Sequence, residues 1–206
     1  MIDATKLLDP AASLQMTTFA AFDAPILAPE PITLEEAKRH LNVVLPDDDT
    51  YITGLIVAAR QMAEGRLNRT LVRRQLVDSF DATDRAYRLL KPPVVSIDEV
   101  TVQDYLRTDV PVALEDFYLA VNGDRAYLRA TPLAPWAVAV RRGGTVSVAY
   151  TAGYAPGTVP QPIVQWMLLV IGTLYANRET MSAGAQVYSI PDDFVKWLLQ
   201  PYMVYE

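Results

Sequence analysis

The chain has 206 residues, 51% of them hydrophobic, and a formal net charge of -6. That length suits one compact domain with a real core, and the composition excludes a disordered chain, which combines low hydrophobicity with high net charge. The acidic balance argues against a non-specific nucleic-acid binder, which needs clustered Lys and Arg to displace counterions.

Missing residues exclude more. There is no cysteine, so disulfides, thiol nucleophiles and thiolate metal sites are ruled out together. The single histidine, His40, leaves almost no material for a His-based zinc site or a His-paired nucleophile. The longest unbroken apolar run, Trp166 to Ile171, is far short of the ~20 residues of a spanning helix. Lys6 has no apolar stretch behind it, so no signal peptide is expected.

Residues 1–30 read as an extended N-terminal arm. Pro10, Pro25 and Pro29 interrupt it, and Leu7, Leu8, Leu14, Phe19, Phe22, Ile26 and Leu27 follow no period. Such an arm gains order by lying on something, often a neighbouring subunit. The first helix starts at Thr33, where Thr33-Leu34-Glu35-Glu36 has the form of a capping box. Leu34, Ala37, His40 and Leu41 share one face, and the helix stops before Pro46. Asp47, Asp48 and Asp49 then supply an N-cap and negative charge at the positive end of a longer helix. Ile52, Leu55, Ile56, Ala59, Met62 and Ala63 form its apolar face, which fades near Leu67-Asn68-Arg69.

The middle, about 71–151, has β composition. Leu71–Phe80, Tyr87–Leu90 and Val94–Gln103 read as strands, with Pro92-Pro93 as a break. Phe117, Leu119 and Val121 alternate toward Asn122-Gly123, a strong hairpin signal in which both turn residues take positive φ. Val146, Val148 and Tyr150 alternate against Thr145, Ser147 and Thr151 in a last strand. Helix returns after Pro160 and Pro162. Ile163, Trp166, Met167, Val170, Ile171 and Leu174 keep helical spacing, and Leu168, Leu169 and Tyr175 widen the stripe. A helix apolar on most sides is covered on more than one side, and in a domain this small the second cover is expected from a neighbouring subunit. Residues 180–189 read as a loop. A final helix begins near Pro191 with Asp192 and Asp193 in its first turn. Phe194, Trp197 and Leu198 form its face, and an apolar tail follows Pro201. The expected fold class is α+β: a small helical bundle of two N-terminal and two C-terminal helices with an inserted antiparallel β region. A single domain is expected over 31–206, with its C-terminal helix plus tail at 190–206.

Each sharp reading has a structural alternative. His40 as a general base lacks a nearby Ser or Cys, and a half-buried polar tip is favoured. Asp47-Asp48-Asp49 and Asp192-Asp193 point apart, which suits helix capping better than a hard cation. Glu35 with Glu36 and Glu115 with Asp116 are adjacent pairs, better read as solvated than as catalytic carboxylates. Arg141-Arg142 before Gly143-Gly144 reads as a possible contact to DNA phosphate or as a plain turn; Arg73-Arg74 is similar. No phosphate loop is present, since Gly153-Tyr154-Ala155-Pro156-Gly157 lacks the Gly-Lys-Ser/Thr ending.

Four stretches then resemble tailed-phage head–tail connector proteins. Pro31-Ile32-Thr33-Leu34-Glu35-Glu36-Ala37-Lys38-Arg39-His40-Leu41 looks like their opening helix, and Asp48 through Arg69 like their second. Val148-Ala149-Tyr150-Thr151-Ala152-Gly153-Tyr154, with Val159-Pro160 and the apolar helix ending Tyr175-Ala176-Asn177-Arg178-Glu179, is the most specific part. Trp197-Leu198-Leu199-Gln200-Pro201-Tyr202 resembles their closing helix and tail. The stretches span residues 29–71 and 145–205. The leader 1–28 is longer than the pattern, and Met203 stands where a basic residue is expected.

The resemblance implies a structural adaptor subunit in the virion neck of a phage or gene transfer agent, made in the bacterial host cytoplasm. It implies a homo-oligomeric ring, a dodecamer, docked under the portal protein and above the next neck or tail-completion protein. DNA passes through the bore without sequence-specific binding. No enzyme activity, cofactor, metal or membrane partner is expected. Subunit-interface residues are expected at Trp166, Met167, Val170, Ile171 and Leu174, and portal contacts at Trp197, Leu198, Tyr202, Met203 and Tyr205. Arg141 and Arg142 are expected to face DNA. The alternatives are another neck or tail-completion protein, or a small carboxylate-dependent hydrolase. Deleting residues 190–206 is expected to abolish portal binding and leave the core folded.

Overall fold

A computed structural model describes residues 28–81, 86–104, 106–110, 112–131, 144–177 and 197–205. Residues 1–27 of the arm expected at 1–30, the loop at 180–189 and the start of the last helix lie outside the described residues.

Helix α1 (Leu34–Leu41) begins with the expected capping box. The Glu36 amide donates to Thr33 Oγ1 at 3.2 Å, and the Thr33 amide donates to the Glu36 carboxylate at 2.9 Å. It ends at Asn42, whose left-handed backbone turns its N–H back onto the last helical carbonyls. Helix α2 (Asp49–Leu67) follows a 3-10 turn at Pro46–Asp48 and ends at left-handed Asn68. The three aspartates do not cap it by side-chain hydrogen bonds. Asp48 instead accepts from the Tyr175 hydroxyl, and Asp49 pairs with Lys38, tying the start of α2 to its two neighbours. Ile52, Leu55, Ile56, Ala59, Ala63 and Leu67 of α2 are buried. Met62, expected on the same face, is 50% exposed, and two charged residues, Arg60 and Glu64, are buried instead. Helix α3 (Gln161–Ala176) starts after Pro160 with Pro162 in its first turn, where a missing N–H costs nothing. It packs on α1 and α2. Residues 197–199 are helical, a 3-10 turn follows at Gln200–Tyr202, and Leu199 closes the helical core.

Among the described residues between α2 and α3 lie seven strands: β1 (Arg74–Asp81), β2 (Ala86–Leu89), β3 (Val94–Gln103), β4 (Asp109–Val110), β5 (Phe117–Asn122), β6 (Arg125–Ala130) and β7 (Thr145–Ala152). They form two antiparallel sheets, ordered β1-β7-β3-β4 and β2-β6-β5. Period-two burial explains the packing. Val146, Val148, Tyr150 and Ala152 of the first sheet share a core with Tyr87, Leu89, Phe117, Ala126 and Leu128 of the second. The insertion is therefore a small sandwich with its own core, separate from that of the helices. The β5–β6 hairpin is present, but its turn is shifted by one residue. Asn122 pairs with Arg125, so Gly123 and Asp124 form the loop, and of these Gly123 alone has positive φ. This is the Gly-first pattern of a II′ turn rather than an Asn-Gly turn with both φ positive.

The two cores meet at a dense joint. Gly153 leaves β7 with φ +116°, its N–H donates to the Pro93 carbonyl at 2.9 Å, and a Cβ there would sit 2.6 Å from the Val72 backbone. Beneath it, the Glu64 carboxylate accepts from Arg60, from Arg74 and from the Leu71 amide, at 2.9, 2.8 and 2.8 Å. Glu30 adds a second carboxylate on Arg60, so two guanidiniums meet two carboxylates. Arg74 is thus an internal ion-pair partner, not a DNA-facing residue.

Candidate functional site

The expected interface stripe on α3 divides in two. Trp166, Met167 and Ile171 are buried in the chain's own core. Their burial is satisfied within the protomer by α1, α2 and Leu199, so they are not available to a neighbour. The Trp166 ring also carries the Arg66 guanidinium, 5.8 Å from its centroid. Val170 and Leu174 are half-buried and keep an outer surface. Tyr175 extends that surface through its ring contact with Tyr51, 6.2 Å between centroids.

A neighbouring feature escaped the sequence reading. In the α1–α2 connection Val44 is 89% and Leu45 66% exposed. The signal was there: three consecutive apolar residues, Val43, Val44 and Leu45, stand between a helix stop at Asn42 and Pro46, and of these Val43 packs on the helical core while the other two stay out in a short loop. With Tyr51, Leu174 and Tyr175 they place apolar surface at one end of the bundle.

The C-terminal residues also divide. Leu198, Tyr202 and Met203 are half-buried against the helical core. The Val204 amide donates to the Leu67 carbonyl at 2.9 Å, and Arg88 donates to the Tyr205 carbonyl at 2.9 Å. The tail is therefore bound along its own chain. Trp197 and Tyr205 stay 71% and 64% exposed. Of the described residues in this segment, Leu199 rather than Trp197 is the one fully buried, with Leu198 packed beside it.

His40 is exposed rather than half-buried. It lines an open groove of about 460 Å³ between α1 and α3, with Ile32, Glu36, Arg39, Val164 and Leu168. Glu36 is committed to the helix cap, and the Thr33 amide and hydroxyl it accepts from hold its carboxyl below the usual range. An ionised, capped carboxylate beside an imidazole with no nucleophile is poor acid–base machinery. Glu115 is exposed beside Asp116, which accepts from the Ala113 amide. Among the described residues no group of three or more His, Cys, Asp or Glu is arranged to hold a metal. No described helix is long and apolar enough to cross a membrane. Arg141, Arg142, Asp192, Asp193 and Phe194 lie outside the described residues.

Residues 31–110 match the family of phage gp6-like head-tail connector proteins. No curated protein matches the sequence. A chain in the virion of a native gene transfer agent particle is similar in structure, with a TM-score of 0.65 and 21% identity, over 89% of this chain and 95% of that one. A chain from the neck of an empty gene transfer agent particle, computed with C6 symmetry, gives 0.62 and 19% over 88% and 95%. A third, from the neck of a native particle computed with C12 symmetry, gives 0.58 and 18% over 89% and 96%. At these identities the likeness is one of fold. The connector resemblance thus holds: the family match covers α1, α2 and the strands through β4, and the common fold reaches well beyond it.

Proposed function

We propose that this chain, with its head-tail connector signature, is a structural adaptor subunit of the virion neck in a tailed phage or gene transfer agent. Copies form a closed ring, twelve in number, below the portal and above the next neck protein, and DNA passes through the bore. The subunit performs no chemistry; it works by shape and by matched surfaces. One observation carries this reading: the same chain matches the connector family over 31–110 and shares its fold almost end to end with chains of gene transfer agent virions and necks. The C6 and C12 symmetries of those necks support a ring, and a ring needs two different, complementary patches on each subunit.

Within this reading Val170 and Leu174, with Val44, Leu45 and Tyr51, supply apolar surface for neck contacts. Trp197 and Tyr205 are the portal-facing anchors, since aromatic residues held out in water are the type that dominates buried interface centres. Electron microscopy of the full chain mixed with its portal protein tests the proposal. A ring bound coaxially to the portal is the expected image. A chain that stays monomeric and unbound beside an intact portal ends the reading.

A further inference from the structure

The two outer faces of the β sandwich are opposite in charge. On the second sheet, Arg88 of β2, Arg125, Tyr127 and Arg129 of β6, and Tyr118 of β5 point away from the core, because their neighbours Tyr87, Leu89, Ala126, Leu128 and Phe117 point into it. Strand pairing sets Arg88 opposite Tyr127 and Tyr118 opposite Arg129, so cations and phenol rings interleave. Arg125 and Arg129 make no ion pair among the described residues. Among the described residues this is the one arginine-rich sheet face, in a chain of net charge -6.

The first sheet is the reverse. Its outward positions carry Gln75, Val77 and Ser79 on β1, Thr145, Ser147 and Thr151 on β7, Asp98, Glu99 and Thr101 on β3, and Asp109 on β4. None of these outward positions is Lys or Arg. Asp98 is fixed by hydrogen bonds from Gln75, Ser96 and Thr151, at 3.2, 2.8 and 2.7 Å. The hydroxyl-lined surface therefore holds the Asp98 carboxylate in place, and Gln103 donates to Asp109 at 2.9 Å.

We propose that these faces meet between copies: the arginine–tyrosine face of one subunit packs on the acidic face of the next, so the sandwiches form a continuous belt. The inference rests on the ring reading above. A head-to-tail ring requires two different patches that match each other and lie on different sides of the subunit. The outer faces of a two-sheet sandwich satisfy this by construction, since they point in opposite directions. Opposite charge steers the encounter and sets its direction, while like faces repel and suppress a two-fold dimer. Tyr118 and Tyr127 supply the flat area that arginine alone lacks.

A charge-swap experiment on the full chain tests this. One variant carries R125E and R129E; the other carries E99K and D109K. All four positions are solvent-facing, so the sandwich core is untouched. Assembly is followed by sedimentation at about 0.01 M ionic strength, where charges reach about 30 Å. The wild type is expected to form oligomers, each variant alone to associate at least about tenfold more weakly, and an equimolar mixture to recover assembly with the two variants in equal numbers. Recovery on mixing also shows that both variants fold. Variants that each assemble as the wild type does overturn the belt but leave the ring standing. A wild type that stays monomeric alone and on its portal removes the ring and the belt together. Duplex DNA bound by the wild type and released by R125E/R129E, with assembly intact, overturns the belt by assigning the arginine face to DNA.

Discussion

Glu64 shows how much one side chain carries at the joint between the two cores. Its carboxylate faces Arg60 and Arg74 in a site closed to water. E64Q takes from both buried guanidiniums the carboxylate they share, while Arg60 keeps Glu30. Breaking a buried pair in this way costs about 3–5 kcal/mol, and urea unfolding of the variant is expected to show a loss of that size. Tyr150 gives a pH prediction. Burial is the main cause that pushes its ionisation far above the usual value of 10.0, and the charge and hydrogen bond of Asp78 add to it. The folded value is raised, so this contribution to stability is complete below the unfolded value and is lost as pH rises above it. Thermal melts of the wild type should fall above about pH 10. Y150F should be less stable by about 2 kcal/mol at neutral pH, the worth of a hydrogen bond to a charged group, and should lack the alkaline loss due to this phenol.

At the scale of elements, two glycines of the same chain predict opposite outcomes. Gly54 lies inside α2 with open space around its would-be Cβ. G54A should stabilise the protein by about 0.5–1 kcal/mol, because alanine loses less backbone freedom in a helix. Gly153 joins β7 to the run leading into α3, with positive φ and the Val72 backbone in the way. G153A should detach the sandwich from the bundle and lower the melting temperature by well over the shift G54A produces. Differential scanning calorimetry of both variants checks the contrast. The element pattern was largely legible beforehand: α1 through its capping box, β7 through strict alternation, α3 through helical spacing. The hairpin was located but not its turn, because an Asn-Gly pair allows either residue pair to form the loop, and the pairing of Asn122 with Arg125 decides which.

At the scale of the whole molecule, the structure changes one expected experiment. Deleting residues 190–206 removes Leu199 from the core and the Val204–Leu67 hydrogen bond, so the truncated chain should be less stable as well as unable to bind a portal. Exposed side chains separate the two effects. W197S with Y205S should leave the melting temperature within about 2 °C, as surface changes usually stay within ±0.5 kcal/mol, and should weaken portal binding at least about tenfold, as expected of aromatic anchors worth 2 kcal/mol or more. Binding measured by surface plasmon resonance at unchanged strength would move the portal contact elsewhere on the chain.

Sequence alone determined the α+β class, the helical frame around a β insertion, the poverty of catalytic residue types and the connector resemblance. Those follow from local signals: caps, periods, and which residues are absent. It did not determine which apolar residues remain outside. Trp166 and Trp197 each sit at helical spacing, yet one is buried and the other exposed, because α2 and α1 cover the first. The opposite charge of the two sheet faces was likewise invisible along the chain. Arg88, Arg125 and Arg129 come from two strands far apart in sequence, and only strand pairing and the packing of two sheets bring them to one side.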